Sequence, residues 1–214
     1  MHRSILNINS IKNEIEKIEN LNKTKVIAVS KTFPIEDILP LIEYGHLHFG
    51  ENKVQEAEAK WKSIKSEIKD LNLHMVGKLQ TNKAKKAVEV FDYIHSLDSQ
   101  KLADNLSKFE IQLKKKRKYF IQVNVGKEKQ KSGIDPDQLD PFYNYCINEK
   151  KLNVIGLMTI PPNDGNAEKY FKYLYETNAA LGLEHLSMGM SADYKKAIEY
   201  KTTFVRIGSL IFGD

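Results

Sequence analysis

The sequence predicts a single α/β domain, a closed (β/α)8 barrel of the TIM type with an extra N-terminal helix. Three observations predict it. Short strand-like runs alternate with amphipathic stretches almost without interruption, which argues for a parallel sheet with helices outside it. The alternation counts to about eight strand–helix units within 214 residues. No linker-like stretch or shift in composition divides the chain, so residues 1–214 are expected to form one closed barrel rather than an open doubly wound sheet.

The elements follow in order. An amphipathic helix over Leu6–Ile18 comes first. The run Lys25-Val26-Ile27-Ala28-Val29-Ser30 then reads as a buried strand, ended by Lys31-Thr32-Phe33-Pro34 before a helix over Ile35–Tyr44. His48-Phe49-Gly50 is a short strand ahead of a helix over Val54–Ile64. Leu73–Val76 leads to a helix over Asn82–Val90, and Tyr93–Ser96 to one over Lys101–Leu113. Tyr119–Val125 is the clearest strand, and a Gly/Lys-rich loop carries it to a helix over Gln138–Asn148. Val154–Met158 precedes a helix over Glu168–Leu181, His185–Ser187 one over Asp193–Tyr200, and Phe204–Ile207 a short turn over Ser209–Phe212.

Composition excludes several classes. Hydrophobic residues make up 41% of the chain, enough for a real core, so the body of the chain is not disordered. Cys146 is the one cysteine, which rules out an intrachain disulfide and a thiolate zinc cage; flanked by Phe142, Tyr143, Tyr145 and Ile147, it reads as a buried structural thiol. No apolar run reaches the ~18 residues a membrane span needs, and no signal-peptide pattern opens the chain, so a soluble cytoplasmic protein is expected. The net charge is +5, from 33 Lys+Arg against 28 Asp+Glu, which permits an anionic ligand or nucleic acid without proving either. The densest basic run, Lys114-Lys115-Lys116-Arg117-Lys118, has no interleaved aromatics for base stacking and reads as a solvated helix-to-strand loop. An RNA-associated protein is therefore supported by charge alone.

Barrels of this kind carry their chemistry where the strands stop, here Lys31, Asn52, His74, Met158, Ser187 and Arg206. A lysine at a buried strand's C-terminal end is expected to lose part of its water, which disfavours the ammonium and frees the amine to condense with an aldehyde. Alone, such a lysine is more often an ordinary surface residue. The loops after strands seven and eight commonly build a phosphate site; here they hold Gly189, Met190 and Ser191, and Gly208 and Ser209. Glycine permits close approach of backbone to an anion and serine adds a hydroxyl donor, although two Gly-Ser turns by themselves are more often simple helix caps. An aldehyde-reactive amine facing a phosphate cradle is what pyridoxal 5'-phosphate requires. His46 and His48 form an H-x-H pair on one strand face without a third ligand at suitable spacing, which argues against a metal. His95 and His185 lie in strands that can reach the mouth, with roles left open.

The motifs at these positions resemble the pyridoxal phosphate homeostasis protein family, the stand-alone relatives of the alanine racemase N-terminal barrel. Val29-Ser30-Lys31-Thr32 is similar to its Schiff-base lysine motif, and Phe49-Gly50-Glu51-Asn52-Lys53-Val54-Gln55-Glu56 to its second-strand motif, with Lys53 where a tyrosine is usual. His74-Met75-Val76-Gly77-Lys78-Leu79-Gln80-Thr81-Asn82-Lys83 is the most diagnostic segment, with Leu73 replacing the usual preceding aromatic. Lys131-Ser132-Gly133-Ile134, Gly156-Leu157-Met158-Thr159, Ser187–Ser191 and Arg206–Gly213 match as well, so the resemblance spans essentially the whole chain.

The resemblance implies that Lys31 holds pyridoxal phosphate as a Schiff base. Ser191, Gly208 and Ser209 would bind its phosphate, and Gly189 and Met190 would shape that loop. Arg206 would meet the pyridine nitrogen, Asn52 and His74 would line the ring, and Met158 would pack near it. Taken singly, Arg206 and His74 are more simply read as a core ion-pair partner and a satisfied core histidine. A donor-only guanidinium keeps the pyridine nitrogen unprotonated and weakens the ring as an electron sink. The family resemblance therefore implies a monomeric cofactor carrier and buffer that supplies apo pyridoxal-phosphate enzymes, with no established turnover. The alternative is a single-domain amino-acid racemase using Lys31 as one base.

Overall fold

The structure, a computed structural model, describes residues 2–18, 24–128 and 130–213. Eight parallel strands pair in chain order: β1 (Lys25–Val29), β2 (His48–Glu51), β3 (Asn72–Met75), β4 (Tyr93–Leu97), β5 (Lys118–Gln122), β6 (Asn153–Met158), β7 (His185–Met190) and β8 (Phe204–Ile207). The barrel closes between β1 and β8, from Lys25 opposite Phe204 to Ala28 opposite Ile207. Around it run α1 (Arg3–Ile18), α2 (Ile35–Glu43), α3 (Val54–Trp61), α4 (Ile64–Glu67), α5 (Ala84–Val90), α6 (Gln100–Leu113), α7 (Leu139–Asn144), α8 (Ala167–Ala180), α9 (Tyr194–Glu199) and α10 (Ser209–Phe212). The extra helix α1 buries Ile8, Ile11 and Ile15 and packs on α10, α9 and α2.

Strand side chains alternate between two faces. One face packs under the helices, where Phe49, Trp61, Phe91 and Phe171 are fully buried. The other fills the barrel with Ile27, Val29, Val76, Tyr93, Phe120, Met158 and Phe204. The mouth at the strands' C-terminal ends therefore sits on a packed floor rather than over a pore.

Several boundaries differ from expectation. The helix after β2 breaks at Trp61, and a separate turn, α4, follows. β5 stops at Gln122, and Val123 makes only an isolated parallel bridge to Ile134. β7 continues to Met190, carried past Ser187 by Gly189 at φ +92°. α7 is six residues long and opens into a wider turn over Tyr145–Glu149. Within that turn Cys146 is buried, and burial pushes its thiol up to about 12.

The basic run after α6 is fastened rather than merely solvated. Buried Glu110 accepts from Lys116 Nζ at 2.9 Å, from the Arg117 N–H at 2.6 Å and from the Tyr119 hydroxyl at 3.0 Å. Arg117 also donates to Val88 O at 2.8 Å and reaches Asp92. Lys116 and Arg117 thus partner a buried carboxylate on α6 and another just before β4. Among the described residues, no helix is long and apolar enough to cross a membrane.

Candidate functional site

A cavity of about 590 Å³ opens at the barrel mouth, and Lys31, Asn52, Met190, Ser191, Arg206, Gly208 and Ser209 are on its walls. These come from the ends of β1, β2, β7 and β8, which the fold makes neighbours by closing β1 on β8. The remaining walls are largely apolar, with Val29, Phe33, Val76 and Ile160.

Lys31 projects just past β1, and its side chain is exposed rather than dehydrated as the sequence reading expected. Its backbone, by contrast, is tightly held. The Ser30 carbonyl accepts from Lys60 Nζ at 2.8 Å, and the Ser30 hydroxyl donates to Glu51 Oε1 at 2.7 Å. That same carboxylate oxygen takes Lys60 Nζ at 2.9 Å and Trp61 Nε1 at 3.0 Å, all of it under α3. After Lys31 the chain turns sharply: Thr32 sits at φ 66°, a left-handed conformation unfavourable for a β-branched residue, and its N–H donates to Glu56 Oε1 at 2.7 Å. Removing one member of a buried ion pair strands the other charge. Lys60→Met should therefore cost about 3–5 kcal/mol in urea unfolding, and a loss below about 1 kcal/mol would show that this strut is not what holds the end of β1.

Two close approaches shape the rim. A Cβ at Gly77 would fall 2.5 Å from Asn52 O, so only glycine lets the β3 loop lie against Asn52. Gly189 turns β7 toward α9, and a Cβ there would meet Tyr194 Cα at 2.9 Å. The turn that follows is closed by Asp193, whose Oδ1 accepts the Met190 N–H at 2.6 Å. Ser191 is half-buried, and Ser209 lies exposed at the start of α10.

Arg206, buried inside β8, rises beneath the cavity. It donates from Nη1 to Ser187 Oγ at 2.7 Å and from Nη2 to Thr159 O at 2.8 Å. Burial lowers its guanidinium to about 10, still charged at neutral pH, while Asp193 acts in the opposite sense.

Three expected mouth residues are not on the cavity walls. His74, Met158 and Ser187 are fully buried in the barrel, and on the third and sixth strands Val76 and Ile160, two residues further on, line the cavity instead. His74 thus lies below the cavity rather than on its walls. It is held between His48 and His95, as a core histidine would be. His95 does not reach the mouth either, because Ser187 lies between it and Arg206. His185 opens β7 and so sits at the barrel's opposite end. His46 and His48 do not share a strand face: His46 precedes β2 and its Nε2 lies 2.9 Å from His48 O, while the His48 ring points to His74. The sequence reading missed Thr159 as a support for Arg206, although it follows Met158 in a motif already singled out.

One wall thus offers an amine, another two hydroxyls beside a glycine turn, and the floor a cation that can only donate. A (β/α)8 barrel with this mouth defines a class of lysine-bearing barrels suited to an anionic carbonyl ligand. The chain belongs to the alanine racemase N-terminal domain family, whose profile matches residues 6–214. It is 40% identical over 202 residues to the pyridoxal phosphate homeostasis protein of Aquifex aeolicus, covering 90% of this chain and 88% of that one. Its structure is similar to that of PipY from Synechococcus elongatus PCC7942 with PLP bound, at TM-score 0.84 and 35% identity over 95% of this chain and all of that one. Alanine racemase of Clostridium difficile 630 shares the fold, with TM-score 0.74 at 13% identity, over 99% of this chain and 56% of that enzyme.

Proposed function

We propose that this chain binds pyridoxal 5'-phosphate at the barrel mouth, holds it as a Schiff base on Lys31, and buffers and delivers it in pyridoxal phosphate homeostasis. The observation that carries this reading is the single cavity whose walls include Lys31, Ser191, Ser209 and Arg206. The residues fit the cofactor. A deprotonated amine joins the aldehyde carbon and releases water, a step that needs no oxidant and reverses by hydrolysis. Ser191, Gly208 and Ser209 hold the phosphate, and Gly189 and Met190 shape its loop. Arg206 spends two N–H groups on Ser187 and Thr159, and its remaining N–H groups would be the donors toward the pyridine nitrogen. Asn52 borders the ring, while Ser187, His74 and Met158 act from beneath it.

A carrier is favoured over a racemase on two grounds. The donor-only guanidinium leaves the pyridine nitrogen unprotonated. Racemisation also needs a second acid/base, and among the described residues the cavity walls carry no histidine, tyrosine, cysteine or carboxylate. The names of the relatives point the same way. In this reading residues 1–214 work as one barrel domain, as a monomer in the cytoplasm, with apo pyridoxal-phosphate enzymes as recipients.

A pair of titrations tests it. Replacing Ser191 and Ser209 by alanine removes two hydroxyl donors to a dianion, each worth about 1.5–3 kcal/mol. Affinity for pyridoxal phosphate should fall by one to a few orders of magnitude, at about tenfold per 1.4 kcal/mol, while affinity for unphosphorylated pyridoxal barely changes. Equal weakening of both ligands would move the phosphate away from these serines.

A further inference from the structure

A row of polar side chains runs down the inside of the barrel from the mouth. Arg206 on β8 donates to Ser187 Oγ on β7 at 2.7 Å. Ser187 Oγ lies 2.8 Å from His95 Nδ1 on β4, His95 Nε2 lies 2.9 Å from His74 Nδ1 on β3, and His74 Nε2 lies 3.0 Å from His48 Nδ1 on β2. The rings are clamped by aromatic neighbours: His95 stacks on Phe120 and His74 on Tyr93, each at 4.3 Å between centroids, with Phe204 against both. At the far end His48 borders a second cavity, of about 360 Å³, together with Lys25 and His46.

Donor arithmetic gives this row a direction. A guanidinium only donates, so Ser187 Oγ accepts from Arg206, and its own hydrogen is left for His95 Nδ1. His95 must then be the Nε2–H tautomer, donating to His74 Nδ1. The same argument makes His74 and then His48 Nε2–H tautomers. The opposite direction would make Ser187 accept twice and leave its hydrogen without a partner in a buried site. The charged groups facing the row are cations: Arg206 from β8, Lys25 from β1 and Lys118 from β5, with His46 beside β2. Burial first, and these cations and neighbouring rings second, hold His74 and His95 well below the usual imidazole range, so both are neutral.

We propose that Arg206 and this row fix one another. Ser187 and His95 are positioning residues that aim the guanidinium's spare N–H groups into the mouth, and His74 and His48 carry the same hydrogen-bond polarity to the opposite end of the barrel. The proposal rests on the reading that Arg206 meets the pyridine nitrogen.

Two measurements on the full chain separate the proposal from that reading. With histidine 15N-labelled and no ligand added, long-range 1H–15N spectra should show His48, His74 and His95 as neutral Nε2–H rings at pH 7–8. An Nδ1–H ring at any of the three positions overturns the polarity. Ser187→Ala removes the donor that fixes His95, so His95 and His74 should then populate both tautomers, and Ser187→Thr should restore a single one. The second measurement is titration with pyridoxal phosphate. Ser187→Ala should weaken binding about tenfold and move the absorbance maximum of the bound cofactor, with Ser187→Thr restoring both. If Ser187→Ala leaves affinity and absorbance unchanged while Arg206→Gln alters them, the positioning role is overturned and the Arg206 contact stands. If Arg206→Gln also leaves the absorbance unchanged, the pyridine reading fails, and the tautomers alone decide the polarity of the row.

Discussion

Lys31→Ala should abolish covalent capture of pyridoxal phosphate and leave the barrel standing. Reduction with borohydride would fix the cofactor on wild-type protein at Lys31, read by peptide mass spectrometry, and the variant should show no label there. The expectation is sharp because, among the described residues, Lys31 is the one lysine on the cavity walls. Its side chain is exposed, beyond the last residue of β1, so its loss removes no packing, and unfolding free energy should change by no more than about 0.5 kcal/mol. Binding should weaken without vanishing. In the proposed arrangement the phosphate contacts and the Arg206 contact remain in the variant, whereas the reaction that the phosphate makes effectively intramolecular is gone. A full-strength label on the variant would move the attachment site, and Lys78 and Lys83, which follow β3, would be the next positions to examine.

The same residue shows how far the sequence was legible. Eight short, largely apolar runs separated by amphipathic stretches were enough for the barrel, because parallel strands buried on both faces alternate with the helices that cover them. The mouth was legible in parity but not in height. On the third, sixth and seventh strands the expected residues His74, Met158 and Ser187 point inward but lie fully buried. Val76 and Ile160 stand two positions higher on the same faces and line the cavity, as does Ser191 beyond Gly189. Strand period fixes which residues face inward, whereas the level at which the floor ends depends on strand tilt and on the volume of the side chains below, here Phe120, Tyr93 and Phe204. The histidine row was hidden for a related reason. His48, His74 and His95 are far apart in sequence and meet only because β2, β3 and β4 are adjacent. The basic run after α6 is exposed as read, and only the anchoring of Lys116 and Arg117 on Glu110 and Asp92 was hidden, because those partners lie outside the run.

Acid should destabilise this protein well above the pH at which its carboxylates titrate. His46 is lowered to about 3 and His48 to about 4, chiefly by burial, and His74 and His95 are also held well below 6.5 for the same reason. The folded chain therefore keeps these four imidazoles neutral, and burial lowers His185 in the same direction, whereas the unfolded chain protonates imidazoles near pH 6.5. Because the unfolded state binds more protons, stability falls as pH falls. The contribution is fully present above about pH 7 and is lost progressively below 6.5, continuing down toward the folded-state values. His46 and His48 each change stability by up to about 1.4 kcal/mol per pH unit, so at pH 5 each has removed about 2 kcal/mol, and His74 and His95 act in the same direction. Against the whole stability of an ordinary domain, about 5–15 kcal/mol, that is a large share. Lowered carboxylates such as Glu14 and Asp104 act in the same sense only at lower pH, and the raised Asp98 opposes them weakly. The expected result is a urea midpoint that is flat from pH 8 to 7 and falls from 6.5 downward, with net uptake of protons on unfolding. His46→Phe, beside Phe49 and outside the row that reaches Arg206, should reduce that uptake by about one proton. A midpoint unchanged between pH 7 and pH 5 would mean that these rings carry charge in the folded barrel, and the neutral row beneath the mouth would fall with it.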